Sequence, residues 1–445
     1  MALHALSPLD GRYENETAPL REFFSEFAFM RARARLELDF LSALSKTGIL
    51  PSESLSGFKP DLQDFNDDDA CKIQEYEKVT RHDVKAIEYF LREKVPAELH
   101  HWIHFGLTSE DVGNLAQAIA LKDSRDQVLL PALDHLIHAL RDFATHYRSL
   151  PCLARTHGQP AVPTTLGKEI AVYLARLLKC RAEIADHKFE AKLSGAVGSF
   201  NALQSAAPQM DWISFSQEFV RSFGLEPNIV TTQILPYDNW IRYFDSIKMT
   251  NAILIGYAQD VWRYISDGIL KQKVVEGEIG SSTMPQKVNP IDFENAEGNL
   301  GVANALFNYY GEKLPVSRLQ RDLSDSTVRR TFGSALGHSL LAWNNLRRGM
   351  ARVDADQEKI KQQLNEHWEV VSEGAQTILR AAGRSDAYES LLSQTRGRIF
   401  NETSYRLWVE SLEIDDETRG RLLGLSPETY IGLAVQIVDS VIARQ

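Results

Sequence analysis

The sequence predicts an all-α protein, and three observations carry that expectation. Apolar residues recur at helical spacing along most of the chain, alternation with a period of two is nearly absent, and several periodic segments are long enough for about five helical turns. In chain order, Leu36, Phe40, Leu41 and Leu44 share one face, followed by Val84, Ile87 and Leu91, then Leu133, Leu136, Ile137 and Leu140. Further on come Ile170, Leu174, Leu177 and Ile184, then Leu254, Ala258, Val261 and Ile265, then Leu336, Leu340 and Trp343. Such faces must cover one another, and a bundle of long helices is the simplest way to do so.

Three helical domains are expected within the 445 residues: an N-terminal one over 1–111, the central long-helix bundle over 112–354, and a C-terminal one over 355–445. The outer two carry shorter elements, and the carboxylate-rich stretch 61–69 reads as a surface loop. Apolar residues spill onto more than one face of the long helices, so self-association through the bundle is expected.

A net charge of −11 argues against a nucleic-acid partner, whose phosphates would demand a basic face, although a few arginines can still make one cleft receptive to a small anion. The chain opens without a basic segment followed by an apolar run and holds no stretch of about 18 apolar residues, so a cytoplasmic location without membrane contact is expected. Cys71, Cys152 and Cys180 lack paired spacing, which points to buried structural thiols and neither disulfides nor a zinc site.

Five polar clusters stand at the ends of the periodic segments. Thr108-Ser109-Glu110-Asp111 has capping-box spacing between Thr108 and Asp111, and helix N-termini present free N–H groups to anions. Arg155-Thr156-His157-Gly158-Gln159-Pro160 sets a histidine in a loop, where it is either a plain surface residue or a group that exchanges a proton near neutral pH. In Arg81-His82-Asp83 a second histidine precedes an amphipathic helix, and Asp83 reads as its cap. In 321–330, Ser326 and Arg330 are four apart and share a face if a helix starts there, with Arg321 approaching from the preceding loop. That set suits a phosphate or carboxylate, or it is a solvated charge face with Asp322 and Asp325 as partners.

The fifth cluster, 277–290, lacks the spacing of a phosphate-binding P-loop. Its glycines Gly277 and Gly280 permit motion, its serines offer hydroxyls, and Lys287 and Asn289 offer donors, which fits a lid between rigid helices.

The run Ser-Ser-Thr-Met-Pro-Gln-Lys-Val-Asn-Pro in this cluster resembles the SSxMPxKxNP signature of the fumarase/aspartase superfamily. Thr108-Ser109-Glu110-Asp111 and Gly195-Ala196-Val197-Gly198-Ser199 resemble two further blocks in the same order. Within that superfamily the chain is similar to the adenylosuccinate lyase family, in its bacterial branch, from Ser7-Pro8-Leu9-Asp10-Gly11-Arg12-Tyr13 almost to the C-terminus. The resemblance implies β-elimination of fumarate from adenylosuccinate, giving AMP, and from the succinyl-carboxamide ribotide SAICAR, giving AICAR, without a cofactor or metal.

It further implies Ser281 as general base, His157 as general acid and His82 as an assisting histidine. Lys287 and Asn289 would grip the succinyl carboxylate with Thr108 and Ser109. Arg12, Tyr13, Arg81, Asp83, Gln233, Arg321, Ser326 and Arg330 match positions that handle the nucleotide and its phosphate, and Gln159 joins the substrate-binding set. A homotetramer with active sites shared between chains is implied as well. Gln286 fills the variable position of the signature, where some relatives carry His. Two alternatives stay open: a lyase for a smaller dicarboxylate, and a scaffold that has kept the fold but lost catalysis.

Overall fold

The computed structural model describes residues 3–50, 62, 64–273, 284, 287–387, 389, 391 and 400–444. Helix α1 (Glu26–Ser45) buries Leu36, Phe40, Leu41 and Leu44, and Ser25 starts it by accepting the Ala28 N–H at 3.1 Å. At 20 residues it is as long as the helices expected only of the centre. Helix α2 (Asp67–Thr80) begins at Asn66, whose side chain accepts the Asp68 and Asp69 N–H groups. Asp67, Asp68 and Asp69 therefore form its first turn, at the positive end of the helix dipole, and the surface loop ends earlier than expected. Helix α3 (Asp83–Lys94) buries Val84, Ile87 and Leu91.

The chain continues through α4 (Ser109–Ser124), α5 (Leu130–His146), α6 (Leu166–Asp186), α7 (Asp238–Ser266), α8 (Ile291–Lys313), α9 (Ser324–Arg329) and α10 (Phe332–Ala351). The apolar faces read from the sequence are the buried ones on α5, α6, α7 and α10, with Ile265 half-buried near the end of α7. Strands are few and short among the described residues. Strands β1 (Pro151–Thr156) and β2 (Gln159–Thr165) form an antiparallel hairpin, Glu190–Ala191 pairs with Glu226–Pro227, and Leu270–Gln272 pairs with Val353–Ala355.

Two compact units result. One comprises Met1–Leu133, Cys180–Ala252 and Asn299–Ala342, the other Asp134–Lys179, Ile253–Gly298 and Trp343–Gln445. Their boundaries fall within α5, α6, α7, α8 and α10, so this division cuts across chain order.

In the first unit, α1, α2 and α3 enclose a cluster that includes Met30, Leu38, Leu41, Phe65, Ile87, Phe90 and Leu91. A second core is aromatic, with the Phe332 ring 4.8 Å from Phe244 and 5.1 Å from Tyr310. Each such ring pair adds about 0.5–1.5 kcal/mol beyond the area it buries.

In the second unit, Tyr173 packs on Tyr257 at 5.3 Å, Tyr264 donates to Glu169 at 2.9 Å, and Tyr147 donates to Asp354. Gly167 lets α6 start against the end of α5: a Cβ there would stand 2.4 Å from the Ala144 carbonyl oxygen. Trp368, Tyr405 and Trp408 form a cluster among the shorter C-terminal helices.

Cys152 and Cys180 are buried thiols as expected, whereas Cys71 lies exposed on the solvent face of α2. Among the described residues no helix is long and apolar enough to cross a membrane, and no group of His, Cys, Asp or Glu is placed to hold a metal ion.

Candidate active site

Helix α4 organises the polar residues of the first unit. Thr108 is extended and caps the helix, and its N–H donates to Asp111 Oδ2 at 2.9 Å, which is the capping box that the spacing foretold. Asp111 does more than cap. It is fully buried, pairs with the equally buried Lys192 at 2.8 Å, and accepts the Ser194 N–H at 2.9 Å and the Gly195 N–H at 3.1 Å. These bonds fix the start of the Gly195–Ser199 loop. Gly198 closes that loop at φ +75°, where a Cβ would stand 2.1 Å from the Thr231 carbonyl oxygen.

Glu110, the adjacent residue, is also buried but points elsewhere, because neighbours on a helix lie about 100° apart. It takes Arg329 in a two-pronged pair at 2.8 and 2.9 Å and Arg321 at 3.2 Å. Arg329 also donates to Gln117 at 2.7 Å and pairs with buried Asp325 at 3.2 Å, while Tyr237 donates to Asp325 at 2.8 Å. Burial opposes the charge on Arg329, but Glu110, Tyr237 and Asp325 outweigh it and raise its pKa, so it stays a cation. Burial and the two carboxylates raise the Tyr237 hydroxyl well above its ordinary value despite the opposing pull of Arg329, which keeps it a donor.

Arg321 is thereby held by Glu110 on one side and, at 3.2 Å, by Gln233 on the other. Its Nε is buried without a hydrogen-bond partner, and the side chain as a whole is about a fifth exposed. Gln233 in turn donates to the Ala196 carbonyl at 3.0 Å, which ties Arg321 to the Gly195–Ser199 loop.

Ser326 and Arg330 share a face as expected, with Arg330 donating to the Ser326 hydroxyl at 3.0 Å. They do so on the short helix α9 and its cap, separate from α10. Asp325 is not a solvated partner but a buried one, claimed by Arg329. Arg330 lines a cleft of about 380 Å³ together with Leu9, Asp10, Thr17 and Arg21 of the N-terminal segment. That segment carries Arg12, which is exposed, and Tyr13, which is half-buried.

The second histidine corrects the sequence reading. His82, not Asp83, caps α3, its Nδ1 accepting the Lys85 N–H at 3.2 Å. Accepting through Nδ1 assigns the proton of the neutral ring to Nε2, on a side chain half open to solvent. Asp83 turns instead to Arg33 at 2.8 Å, and Arg33 stacks on Phe29 at 3.7 Å. Burial pushes the Asp83 carboxyl up, but Arg33 and the Val84 N–H together pull it below its ordinary value. Arg81, in the left-handed region at φ +52°, ends α2 and is exposed.

In the second unit His157 is not in an irregular loop but at the tip of the β1–β2 hairpin. Thr156 pairs with Gln159, leaving His157 and Gly158 as a two-residue turn with φ +55° and +75°. Positive φ at both positions is the signature of a type I′ hairpin, and holding a non-glycine residue there costs about 1–3 kcal/mol. His157 and Gln159 are exposed.

Lys287 and Asn289 lie just before α8, with the Lys287 N–H donating to the Met284 carbonyl at 3.0 Å and Gln272 donating to the Val288 carbonyl at 2.9 Å. Both precede a helix N-terminus, whose partial positive charge adds to any anion attraction. Ser281, Gly277, Gly280 and Gln286 lie outside the described residues.

The structure thus links Thr108, Arg321 and, through Arg321, Gln233 to buried Glu110 and Asp111, while Ser326 and Arg330 follow Asp325 and Arg329 directly in the chain. Sequence reasoning missed Lys192 and Tyr237, and it missed the ion pairs that Glu110, Asp111 and Arg329 make. One signal was present: Asp325 and Arg329 are four apart, the spacing of a helix ion pair.

Comparison with known proteins adds an independent line. A family model described as "Lyase" matches residues 11–304, and one described as "Adenylosuccinate lyase C-terminal" matches 317–431. An adenylosuccinate lyase of Haemophilus influenzae is 44% identical over 450 residues, and that of Escherichia coli K12 is 42% identical over 451, each covering 99% of both chains. The Dictyostelium discoideum adenylosuccinate lyase is 43% identical over 455 residues and 97% of both chains.

Among solved structures, a fumarate lyase from Mesorhizobium sp. BNC1 superposes with a TM-score of 0.77 at 17% identity, covering 96% of this chain and 98% of that one. A 3-carboxy-cis,cis-muconate lactonizing enzyme from Pseudomonas putida gives 0.77 at 20% identity, covering 96% of each. These two likenesses show the fold alone.

Proposed function

The chain belongs to the adenylosuccinate lyase family, a carbon–nitrogen lyase of purine biosynthesis, and we propose that its β-elimination runs with Ser281 as general base and His157 as general acid. The reaction splits adenylosuccinate into AMP and fumarate, and SAICAR into AICAR and fumarate. It needs a base for the proton on the carbon beside a carboxylate, donors for the negative charge that develops there, and an acid for the departing nitrogen.

Lys287 and Asn289 supply the donors, with Thr108 and Ser109 orienting the succinyl group. Serine is a weak acid, so its alkoxide has to be favoured by water exclusion and nearby donors, which is the purpose assigned to the 277–290 lid. His82, whose Nδ1 is taken up by the cap on α3, has Nε2 left to donate to the phosphate or to support His157. Gln159 lies two residues beyond the acid on the same hairpin and completes the group that handles the substrate there.

The observation that carries the nucleotide assignment is Arg321, a guanidinium held from both sides by Glu110 and Gln233, taken together with the linked pair Ser326 and Arg330. Arg12, Tyr13, Arg81 and Asp83 are assigned to the same nucleotide. A smaller dicarboxylate has no phosphate that would use these guanidiniums.

Assembly as a homotetramer with active sites shared between chains belongs to the same proposal. Met249 on α7 and Tyr309 on α8, both half-exposed or more, support association through the long helices. The three-domain order 1–111, 112–354 and 355–445 and a cytoplasmic site of action are retained with it.

The test is an absorbance assay of purified protein on adenylosuccinate and on SAICAR. Loss of both substrates with release of fumarate is expected. Turnover of a small amino dicarboxylate without turnover of either would refute the assignment.

A further inference from the structure

Glu110 and Asp111 are adjacent, both are almost completely buried, and neither is free to meet a ligand. Each nevertheless ends on a different set of groups assigned to the substrate. Asp111 collects four donors: the Thr108 N–H, Lys192 Nζ, and the Ser194 and Gly195 N–H groups. Lys192 answers by donating to the Gly195 carbonyl at 3.1 Å, and Asn114 clamps the Lys192 backbone with bonds at 2.8 and 3.0 Å. The backbone that carries Thr108 and Ser109 is therefore fixed by the same carboxylate that anchors the Gly195–Ser199 loop.

Glu110 collects Arg329, Arg321 and, at 3.3 Å, the Tyr237 hydroxyl. It fixes Arg321, the guanidinium assigned to the nucleotide. Gln233 is the joint between the two sets, touching Arg321 and Ala196.

A stability role alone does not call for this arrangement, since replacing a buried ion pair by apolar side chains of similar volume is often neutral or stabilising. Rigid placement of donors is what a transition state requires.

We propose that these two adjacent carboxylates are positioning residues that divide the substrate between them, Asp111 with Lys192 setting the succinyl end through Thr108 and Ser109, and Glu110 with Arg329 setting the phosphate end through Arg321. The proposal rests on the assignment of Thr108 and Ser109 to the succinyl group and of Arg321 to the nucleotide. Neither carboxylate exchanges a proton with the substrate.

The two products separate the two ends, because fumarate carries only the succinyl carboxylates and AMP carries only the phosphate end. The experiment measures the inhibition constants of fumarate and of AMP in the assembled enzyme for Lys192→Met and Glu110→Gln, with Ser109→Ala alongside. Lys192→Met is expected to raise the fumarate constant roughly tenfold while AMP stays within about twofold, and Glu110→Gln to do the reverse.

Asn114→Ala keeps the Asp111–Lys192 pair but loosens the Lys192 backbone, and it should weaken fumarate in the same direction; it decides the matter if Lys192→Met does not fold. Both constants rising together in each variant, or neither moving in folded protein, would overturn the division. If Ser109→Ala weakens fumarate but neither Lys192→Met nor Asn114→Ala does, the positioning role fails and the succinyl assignment stands. If Ser109→Ala leaves fumarate unchanged, that assignment fails and the proposal fails with it.

Discussion

The surroundings of Glu110 and the tip of the β1–β2 hairpin are built in opposite ways. Around Glu110 every charged side chain is claimed several times over: Arg329 alone meets Glu110, Gln117 and Asp325, and almost nothing there is open to water. At the hairpin tip His157 is exposed, in a left-handed backbone conformation that only the turn enforces. A single chain thus pre-organises the groups assigned to the nucleotide. His157, proposed as the acid, is left exposed.

The largest effect that would break this contrast is expected at Arg329. Replacing it by Met leaves buried Asp325 without its cation and Glu110 with the Arg321 cation alone, which should cost about 3–5 kcal/mol. A urea unfolding series measures it, and a loss below about 1 kcal/mol would mean that the cluster is not over-determined as described.

Next comes chemistry without stability. Ser281→Ala should lower turnover by about 10²-fold or more, equivalent to about 2.7 kcal/mol of activation free energy, with the unfolding midpoint unchanged. A rate like that of the wild type would remove Ser281 from the role of base.

A smaller effect sharpens the contrast from the other side. Asparagine adopts positive φ more readily than most residues, so His157→Asn should raise stability by about 0.5 kcal/mol while abolishing the acid function. Thermal unfolding and turnover on the same preparation test this, and a fall in stability would show that the tip is not strained.

The smallest expected effect is a pH slope. Burial opposes protonation of His104, yet Glu37, 2.6 Å away and fully buried, raises the His104 pKa above its ordinary 6.5, with Glu88 and Asp111 contributing. A raised folded value means that the contribution is fully present below pH 6.5 and is lost as pH rises through the folded pKa. The stability advantage of the wild type over His104→Asn should therefore shrink as pH is raised above 6.5. An advantage that grows with pH would contradict the pairing.

The helical faces were legible because periodicity is local: Leu133, Leu136, Ile137 and Leu140 announce a buried stripe whatever the rest of the chain does. The Thr108 cap was legible for the same reason. The hairpin was not, because Pro160 and Pro163 and a register shift between Leu153 and Arg155 erase the alternation that marks a strand pair. A two-residue His-Gly turn was its one local trace.

The cap on α3 was misread since Asp is the commoner cap, whereas Asp83 is the first residue of the helix and its carboxylate meets Arg33 and the Val84 N–H. The Glu110–Arg329 pair joins residues 219 apart in sequence, so no local pattern could disclose it. Motif resemblance proposes the ligand groups but says nothing of the ion pairs that the buried carboxylates beside them make.

The most direct test of the contrast is to measure AMP affinity by titration calorimetry and adenylosuccinate turnover on one preparation of His157→Ala. Turnover should fall by about 10²-fold or more while AMP affinity stays within about twofold of the wild type. An equal loss in both would show that the nucleotide groups are not pre-organised independently of the acid.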